Sequence, residues 1–418
     1  QARRRLLHRQ AAQAIEAAQP NGIDHLSAQV GYHFDHAGDA GRAAEYYLRA
    51  ARHAARLFSN TEAIALLQRG LDLLHGLPES AERDRAELAY QMAFGGVHLS
   101  RQIRAPEVRQ SYAKAYELAQ KVGSDREQFD ALKGIWEVDN YWLNLEKARQ
   151  LGERMLVTAG RHDQVELLIN AHYSLGTTAF LTGDFGQSRA HLSQGLCLND
   201  AHPDAVESFH GVHPGVGCQA RLAWTLCFLG QAREAFQAAE EAVRRAETLG
   251  HPYSRCMALT LDTFLNLMFR RKEYAAARGE EAIRLATRYD YRFWIGSATR
   301  MVGWATLTPG DGKAWETLLE NENQMWHSVH KVKPAIWFSL SQSLYIEGLA
   351  ASGRPEQGLE RLEEIFGQLK ESPEMIWLPE LQRLKGDLLL QLGAPADEAR
   401  GWYRRGKKNA PAPDAGRF

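Results

Sequence analysis

The stretch NAHYSLGTTAFLTGDFGQSRAHLSQGLCL, residues 170–198, reads as two helices folded back on each other. Gly183-Asp184 supplies the turn chemistry between them. Gly176 on the first helix and Ser188 on the second fall where antiparallel helices approach most closely, and a large side chain at either place would push the pair apart. One such hairpin is a weak signal. Its recurrence along the whole chain decides the fold.

The spacing follows the tetratricopeptide (TPR) template. His172, Leu175, Gly176 and Ala179 stand where that repeat has Trp, Leu, Gly and Tyr, and Ser188, Leu192 and Gly195 stand where its second helix has Ala, Phe and Ala. Upstream, Gly31, Phe34, Ala43, Tyr47 and Ala50 fit the same template, and Asn60 is placed to cap the helix carrying Ala63, Leu67 and Leu71. Segments 83–100 and 106–122 pair next, with Gly96 and Ala115 at close approach and Pro106 in the favoured first turn. Segments 125–144 and 146–159 follow, then the opening stretch. Beyond an irregular insertion at 199–217 come 219–229 with 233–249, 253–269 with 274–289, 293–306 with 313–329, 335–351 with 356–369, and 375–392 with 396–408. AEEAVRRAETLG from Ala239 and GEEAIRLATRYD from Gly279 align at a period of about 40, within the range of helical solenoids. Strand signals are absent. The expected fold class is all-α, a right-handed superhelical solenoid of TPR-like helical hairpins over 21–408, with a bend at 199–217 and a disordered tail at 409–418.

Composition excludes several classes of function. The 418 residues carry 50 Lys+Arg against 51 Asp+Glu, so no global charge recruits nucleic acid or an anionic membrane. No apolar run of about 18 residues could span a bilayer, and no signal peptide is visible, so a cytoplasmic protein is expected. Cys197, Cys218, Cys227 and Cys256 have no framework spacing, which suggests reduced and mostly buried thiols. The chain begins at Gln1 with a helix already under way and no cap before it, as expected of a piece of a longer polypeptide.

Catalytic signatures are missing. GDGKAW at 310–315 lacks the first glycine and the Ser/Thr of a phosphate cradle, and no strand precedes it. His202, Asp204, His210, His213 and Cys218 are the densest group of metal-ligand types, but they sit in an irregular loop without paired spacing; surface imidazoles and loop packing are the expectation, with no metal and no cofactor. There is no nucleophile elbow. Glu240-Glu241 and Glu280-Glu281 recur at one repeat position, as a solvated helix face would. Arg3-Arg4-Arg5, Arg270-Arg271-Lys272 and the 404–408 cluster are scattered, so no nucleic-acid footprint is expected.

Several blocks go beyond generic repeats. NTEAIALLQRGLDLLHGLPESAERDRAELAYQ (60–91), APEVRQSYAKAYELAQKVG (105–123), FHGVHPGVGCQARLAWTLCFLG (209–230), HPYSRCMALT (251–260), VGWATLTPG (302–310) and LQRLKGDLLL (381–390) resemble the C-terminal TPR region of large bacterial STAND-type signalling ATPases. That family often carries a class III nucleotide cyclase domain upstream, and maltose-regulon activators have a related sensor solenoid. RRRLLHRQAAQAIE (3–16) resembles the junction between NTPase module and repeats, which makes 1–20 the end of a preceding module or a junction helix. The chain departs from the family's Asp-Pro-Gly-Val with His213-Pro214-Gly215-Val216, and from its Arg-Gly-Trp-Ala with Val302-Gly303-Trp304-Ala305. The resemblance implies catalytic parts outside this chain and no catalytic residue within it.

Two functional classes follow. In the first, the chain is a non-catalytic sensor and scaffold. Its concave groove receives a protein, a peptide or a small-molecule effector and reports to an upstream NTPase module. In the second, it is the structural or oligomerisation part of an enzyme, an ATPase or nucleotide cyclase, whose catalytic domains lie elsewhere. If Gly176, Ala223 and Gly303 hold equivalent positions, residues one later and three earlier face the groove. That rule selects Thr177 and Tyr173, Trp224 and Ala220, and Trp304 and Arg300, with Tyr32 after Gly31. Trp, Tyr and Arg predominate at binding hot spots. The competing reading packs each tryptophan between neighbouring units, and exposure separates the two.

Overall fold

The computed structural model describes residues 1–18, 23–102, 106–162, 164–206, 211–307, 316–320, 338–369 and 376–409. Among the described residues there is no strand. The helices are α1 (Ala2–Ala18), α2 (Ser27–Ala37), α3 (Ala40–Arg56), α4 (Asn60–His75), α5 (Ala81–Gln102), α6 (Pro106–Val122), α7 (Asp125–Tyr141), α8 (Leu145–His162), α9 (Val165–Leu181) and α10 (Phe185–Ala201). They continue as α11 (Pro214–Phe228), α12 (Ala232–Thr248), α13 (Pro252–Met268), α14 (Lys272–Arg288), α15 (Arg292–Thr306), α16 (Phe338–Ala351), α17 (Pro355–Leu369), α18 (Leu378–Gln391) and α19 (Ala396–Asn409). Consecutive helices pack on each other, and alternate helices such as α9 with α11 and α11 with α13 also touch, which is the contact pattern of stacked hairpins. The all-α fold of TPR-like hairpins expected from the sequence is the observed one.

Two compact units divide the chain. Gln1–Val138 with Ala286–Phe293 form one, and Asp139–Leu285 with Trp294–Phe418 form the other.

In the first unit α1 packs on α2, and Ala12, Val30, Phe34, Ala43, Tyr46 and Tyr47 bury a common cluster. A second cluster joins Ala51, Ala63, Leu67, Leu71, Tyr90 and Phe94 of α3 to α5. Tyr90 lies over Gly70 and donates its hydroxyl to Ala44 O at 2.5 Å. In the second unit Ala223, Cys227, Ala235, Ala239 and Leu265 hold α11, α12 and α13 together, while Ile346, Leu362, Ile365, Leu381 and Leu388 do the same for α16, α17 and α18. Each cluster spans adjacent helices. Stability is therefore distributed along the stack.

The opening hairpin folds as its sequence indicates. Gly183 has φ +83°, where an L side chain is strained, and Asp184 caps α10 by accepting from the Gln187 amide at 3.0 Å. A Cβ placed on Gly176 would come within 2.6 Å of Leu192 Cγ and 3.2 Å of its backbone nitrogen. Ser188 is fully buried, its hydroxyl 2.8 Å from that of Thr225 on α11.

Some details differ from expectation. Ser59, not Asn60, occupies the cap position of α4; Asn60 begins the helix and donates to Tyr289 O. Beside Gly96, Gly95 is a close contact, where a Cβ would lie 2.9 Å from the Tyr112 ring. The 199–217 insertion is shorter than it reads, because α10 runs to Ala201 and α11 starts at Pro214. The break at 20–22, the 310–315 segment, most of 313–329 and the tail beyond Asn409 lie outside the described residues.

Gly176→Leu is expected to force α9 from α10 and lower stability by about 1–3 kcal/mol, as overpacking does. Urea unfolding followed by circular dichroism reads this as a lower midpoint, and an unchanged midpoint would remove Gly176 from the close contact.

Candidate functional site

The sequence-selected groove residues lie on α2, α9, α11 and α15. Tyr32 is in the first unit; Tyr173, Thr177, Trp224, Arg300 and Trp304 are in the second. Tyr32 is 45% exposed and lies tilted at 4.0 Å against the His36 ring, with His8 at 6.0 Å. Arg300 is half-buried. Tyr173, Thr177, Trp224 and Trp304 are buried, and so is Ala220.

The packing explains that burial. Tyr173 lies across Gly217 of α11, where a Cβ would sit 2.5 Å from its ring, so α9 and α11 meet through an aromatic ring seated on a glycine. Trp224 is 0% exposed and donates its indole N–H to Leu261 O on α13 at 3.0 Å. Phe180 and Phe264 meet it edge-on at 6.0 and 5.6 Å, a favoured aromatic geometry. Phe180, Phe185 and Phe228 close the cluster at 5.1–5.5 Å from one another. Sequence spacing did not anticipate the next ring: Trp377, just before α18, stands 6.3 Å from Trp224 and 5.5 Å from Phe228. No periodic signal links it to α11, because 377 lies several repeats downstream.

Polar groups are buried here too. On α9, Asn170, Ser174, Thr177 and Thr178 are buried at helical spacing. Ser174 donates to Asn170 O at 2.9 Å, and Thr178 Oγ1 lies 3.2 Å from Asn140 Oδ1. Asn170 Oδ1 and Thr177 Oγ1 are buried without a hydrogen-bond partner among the described residues. Such groups bear their desolvation uncompensated.

Histidines act as helix caps here. His213 accepts the Gly215 amide on Nδ1 at 3.2 Å at the start of α11, and His251 accepts the Ser254 amide on Nδ1 at 3.3 Å at the start of α13. Each is followed by proline in the first turn. Ser254 Oγ ties them together, donating toward His251 Nδ1 at 2.9 Å while accepting the His213 amide at 2.8 Å. Accepting on Nδ1 requires a neutral imidazole. Burial, then the nearby His213, pushes His251 down to about 4. Burial also lowers His172 to about 4, and its Nδ1 lies 3.0 Å from that of His191.

Of the sequence's metal-ligand group, His202 and Asp204 are exposed, His213 is a cap, Cys218 is buried and His210 lies outside the described residues. No group of three or more His, Cys, Asp or Glu able to hold a metal occurs among the described residues. Cys218, Cys227 and Cys256 are buried, and burial raises their thiols, Cys227 to about 12, away from the reactive thiolate. Glu241 pairs with Arg244 and Arg245, and Glu281 with Arg255, as expected of a charged helix face. No described helix is long and apolar enough to cross a membrane.

No protein-family model matches the chain, and no curated protein does. Among solved structures it is similar to a Rap protein complexed with competence and sporulation factor, at 15% identity and a TM-score of 0.56, covering 88% of this chain and 97% of that one. It is also similar to a signal transduction ATPase with numerous domains (STAND) protein with a tetratricopeptide repeat sensor from Pyrococcus horikoshii, at 9% identity and a TM-score of 0.43, covering 85% of this chain and 55% of that one. The likeness to the Rap protein is one of fold, and it agrees with the TPR-like hairpins described above.

Trp224→Ala and Trp304→Ala are expected to lower stability by about 3–5 kcal/mol each, the range for emptying a large aromatic site. Denaturation midpoints check this, and an unchanged midpoint would remove both indoles from the core. A second expectation concerns pH. The unfolded chain protonates His251 near 6.5, whereas the folded chain resists until about 4, so the stability tied to this group is complete above about pH 6.5 and lost as pH falls toward 4. His251→Asn keeps a cap acceptor without a titrating group and should make the decline shallower in unfolding curves collected from pH 7 to 4.

Proposed function

We propose that this chain is the non-catalytic sensor and scaffold region of a bacterial signalling ATPase working in the cytoplasm, binding a protein, a peptide or a small-molecule effector and reporting to an upstream NTPase module. The observation that carries the binding part is the repetition of TPR-like hairpins among the described residues, a fold that presents side chains from successive first helices to one partner. The Rap protein of similar fold is complexed with competence and sporulation factor, which supports a binding role for such an array. The ATPase context rests on the resemblance of blocks 60–91, 209–230, 251–260 and 381–390. The nucleotide cyclase and maltose-activator links rest on that resemblance too. In this reading Tyr32 and Arg300 are the selected side chains with surface to offer, and Tyr173, Thr177, Trp224 and Trp304 shape the face from beneath.

A second reading, a structural or oligomerisation part of an enzyme, is favoured by the burial of those four side chains. The two separate by experiment. The purified chain, immobilised and exposed to a bacterial extract, is expected to retain a component that then binds in purified form with saturable one-site stoichiometry. Absence of any such component, together with stable self-association of the chain in sedimentation, would favour the second reading. The isolated chain is also expected neither to hydrolyse ATP nor to cyclise ATP or GTP. Turnover abolished by one point substitution in this chain would refute the non-catalytic assignment.

A further inference from the structure

Trp377 differs from the other rings of the Trp224 cluster. Phe180, Trp224, Phe228 and Phe264 belong to the first helices α9, α11 and α13, and Phe185 opens α10, so five of the six rings come from consecutive helices that already pack together. Trp377 arrives from the turn before α18. It lies against α11 at 5.5 Å from Phe228 and 6.3 Å from Trp224, edge-on to both at 77° and 87°. The ring is 4% exposed, and Ile376 beside it is buried too.

The hydrogen bonding separates the two indoles. Trp224 gives its N–H to Leu261 O, as a built-in core tryptophan does. Trp377 Nε1 is buried with no acceptor among the described residues. Among the described residues the seat accepts the flat apolar ring and offers no acceptor to its polar end, so the desolvation of that N–H stands uncompensated and the ring is held more weakly than its burial suggests. The receiving residue Trp224 is also the one that repeat register places toward the groove.

From this we infer that Trp224 and Phe228 form a subsite for an aromatic side chain, occupied in this structure by the chain's own Trp377. A partner peptide that presents an aryl side chain binds there by displacing it. The inference rests on the proposed binding role and adds to it the ligand chemistry and a built-in competitor. Occupation by Trp377 reduces the fraction of chains with an open subsite, and apparent affinity falls in proportion to that fraction. The six-ring cluster remains intact whichever aryl group fills the last place, which makes exchange between own and foreign ring mild for the fold.

The test uses the full chain and a C-terminally labelled synthetic peptide of residues 376–383, IWLPELQR. Fluorescence anisotropy is expected to show this peptide binding the Trp377→Ala chain about tenfold or more tightly than the unaltered chain. Alanine in place of the peptide's tryptophan, or Phe228→Ala added to Trp377→Ala, should each remove that gain. Equal affinity for the unaltered and Trp377→Ala chains, or no binding to either, overturns the inference. Should Trp377→Ala lose its helical signal, Trp377→Leu, which keeps apolar volume without a ring, takes its place; if both unfold, Trp377 is fixed core and the inference fails. Any of these failures leaves the extract-binding experiment unaffected, because that assay reads a partner on any part of the chain.

Discussion

A large side chain seated on a glycine of the neighbouring helix is the contact on which the stack depends. Leu192 on Gly176, Tyr173 on Gly217, Tyr112 on Gly95 and Gly134, and Tyr403 on Gly386 each bring two helix axes closer than any residue with a Cβ would allow. The seat also fixes register, because a shift by one residue would put a side chain where the ring lies. Where the ring carries a hydroxyl, a hydrogen bond often completes the seat: Tyr90 to Ala44 O and Tyr403 to Asp387. Hairpins built on these seats pack mainly on their neighbours, and the apolar clusters accordingly appear as a chain of local cores within each unit.

This mode of packing has a consequence for recognition. In the second unit the first helices α9, α11 and α13 bury aromatic and polar residues alike. Trp224 meets Phe264 and Trp377, and Phe228 meets Trp377, while Thr177 and Asn170 are buried with a polar atom unmatched among the described residues. A covered face with unmatched polar atoms is poorly satisfied compared with an ordinary protein interior. Under the proposed binding role, the chemistry offered to a ligand is apolar rings with a few acceptors at helical spacing. The His-Pro caps at α11 and α13 hold the starts of the helices that carry these rings, through lone pairs that exist only on neutral imidazole.

Much of this was legible from residues alone. Helix existence, pairing and turns followed from period and turn chemistry; Gly183-Asp184 turned and capped as spaced, Pro106 began α6, and Gly176 proved to be a close contact. The recurrent acidic pairs sat on charged faces with arginine partners. The role of the histidines was less accessible. The repetition of His-Pro at 213–214 and 251–252 was visible, but histidine is an uncommon cap and only geometry shows which ring nitrogen meets the amides.

Sequence by itself determined the all-α class, the hairpin repeat and the places where helices must touch, because those depend on contacts between residues a few turns apart and on backbone preferences that travel with residue type. Tertiary structure alone decided which surface is open. Tyr32 follows Gly31 and Trp224 follows Ala223, a small residue in each case, yet one is 45% exposed and the other 0%. The difference is made by what arrives from elsewhere: Leu261 and Phe264 from the next first helix, and Trp377 from far along the chain. Helical period states the direction of a side chain. It carries no information about which distant segment comes to lie against it.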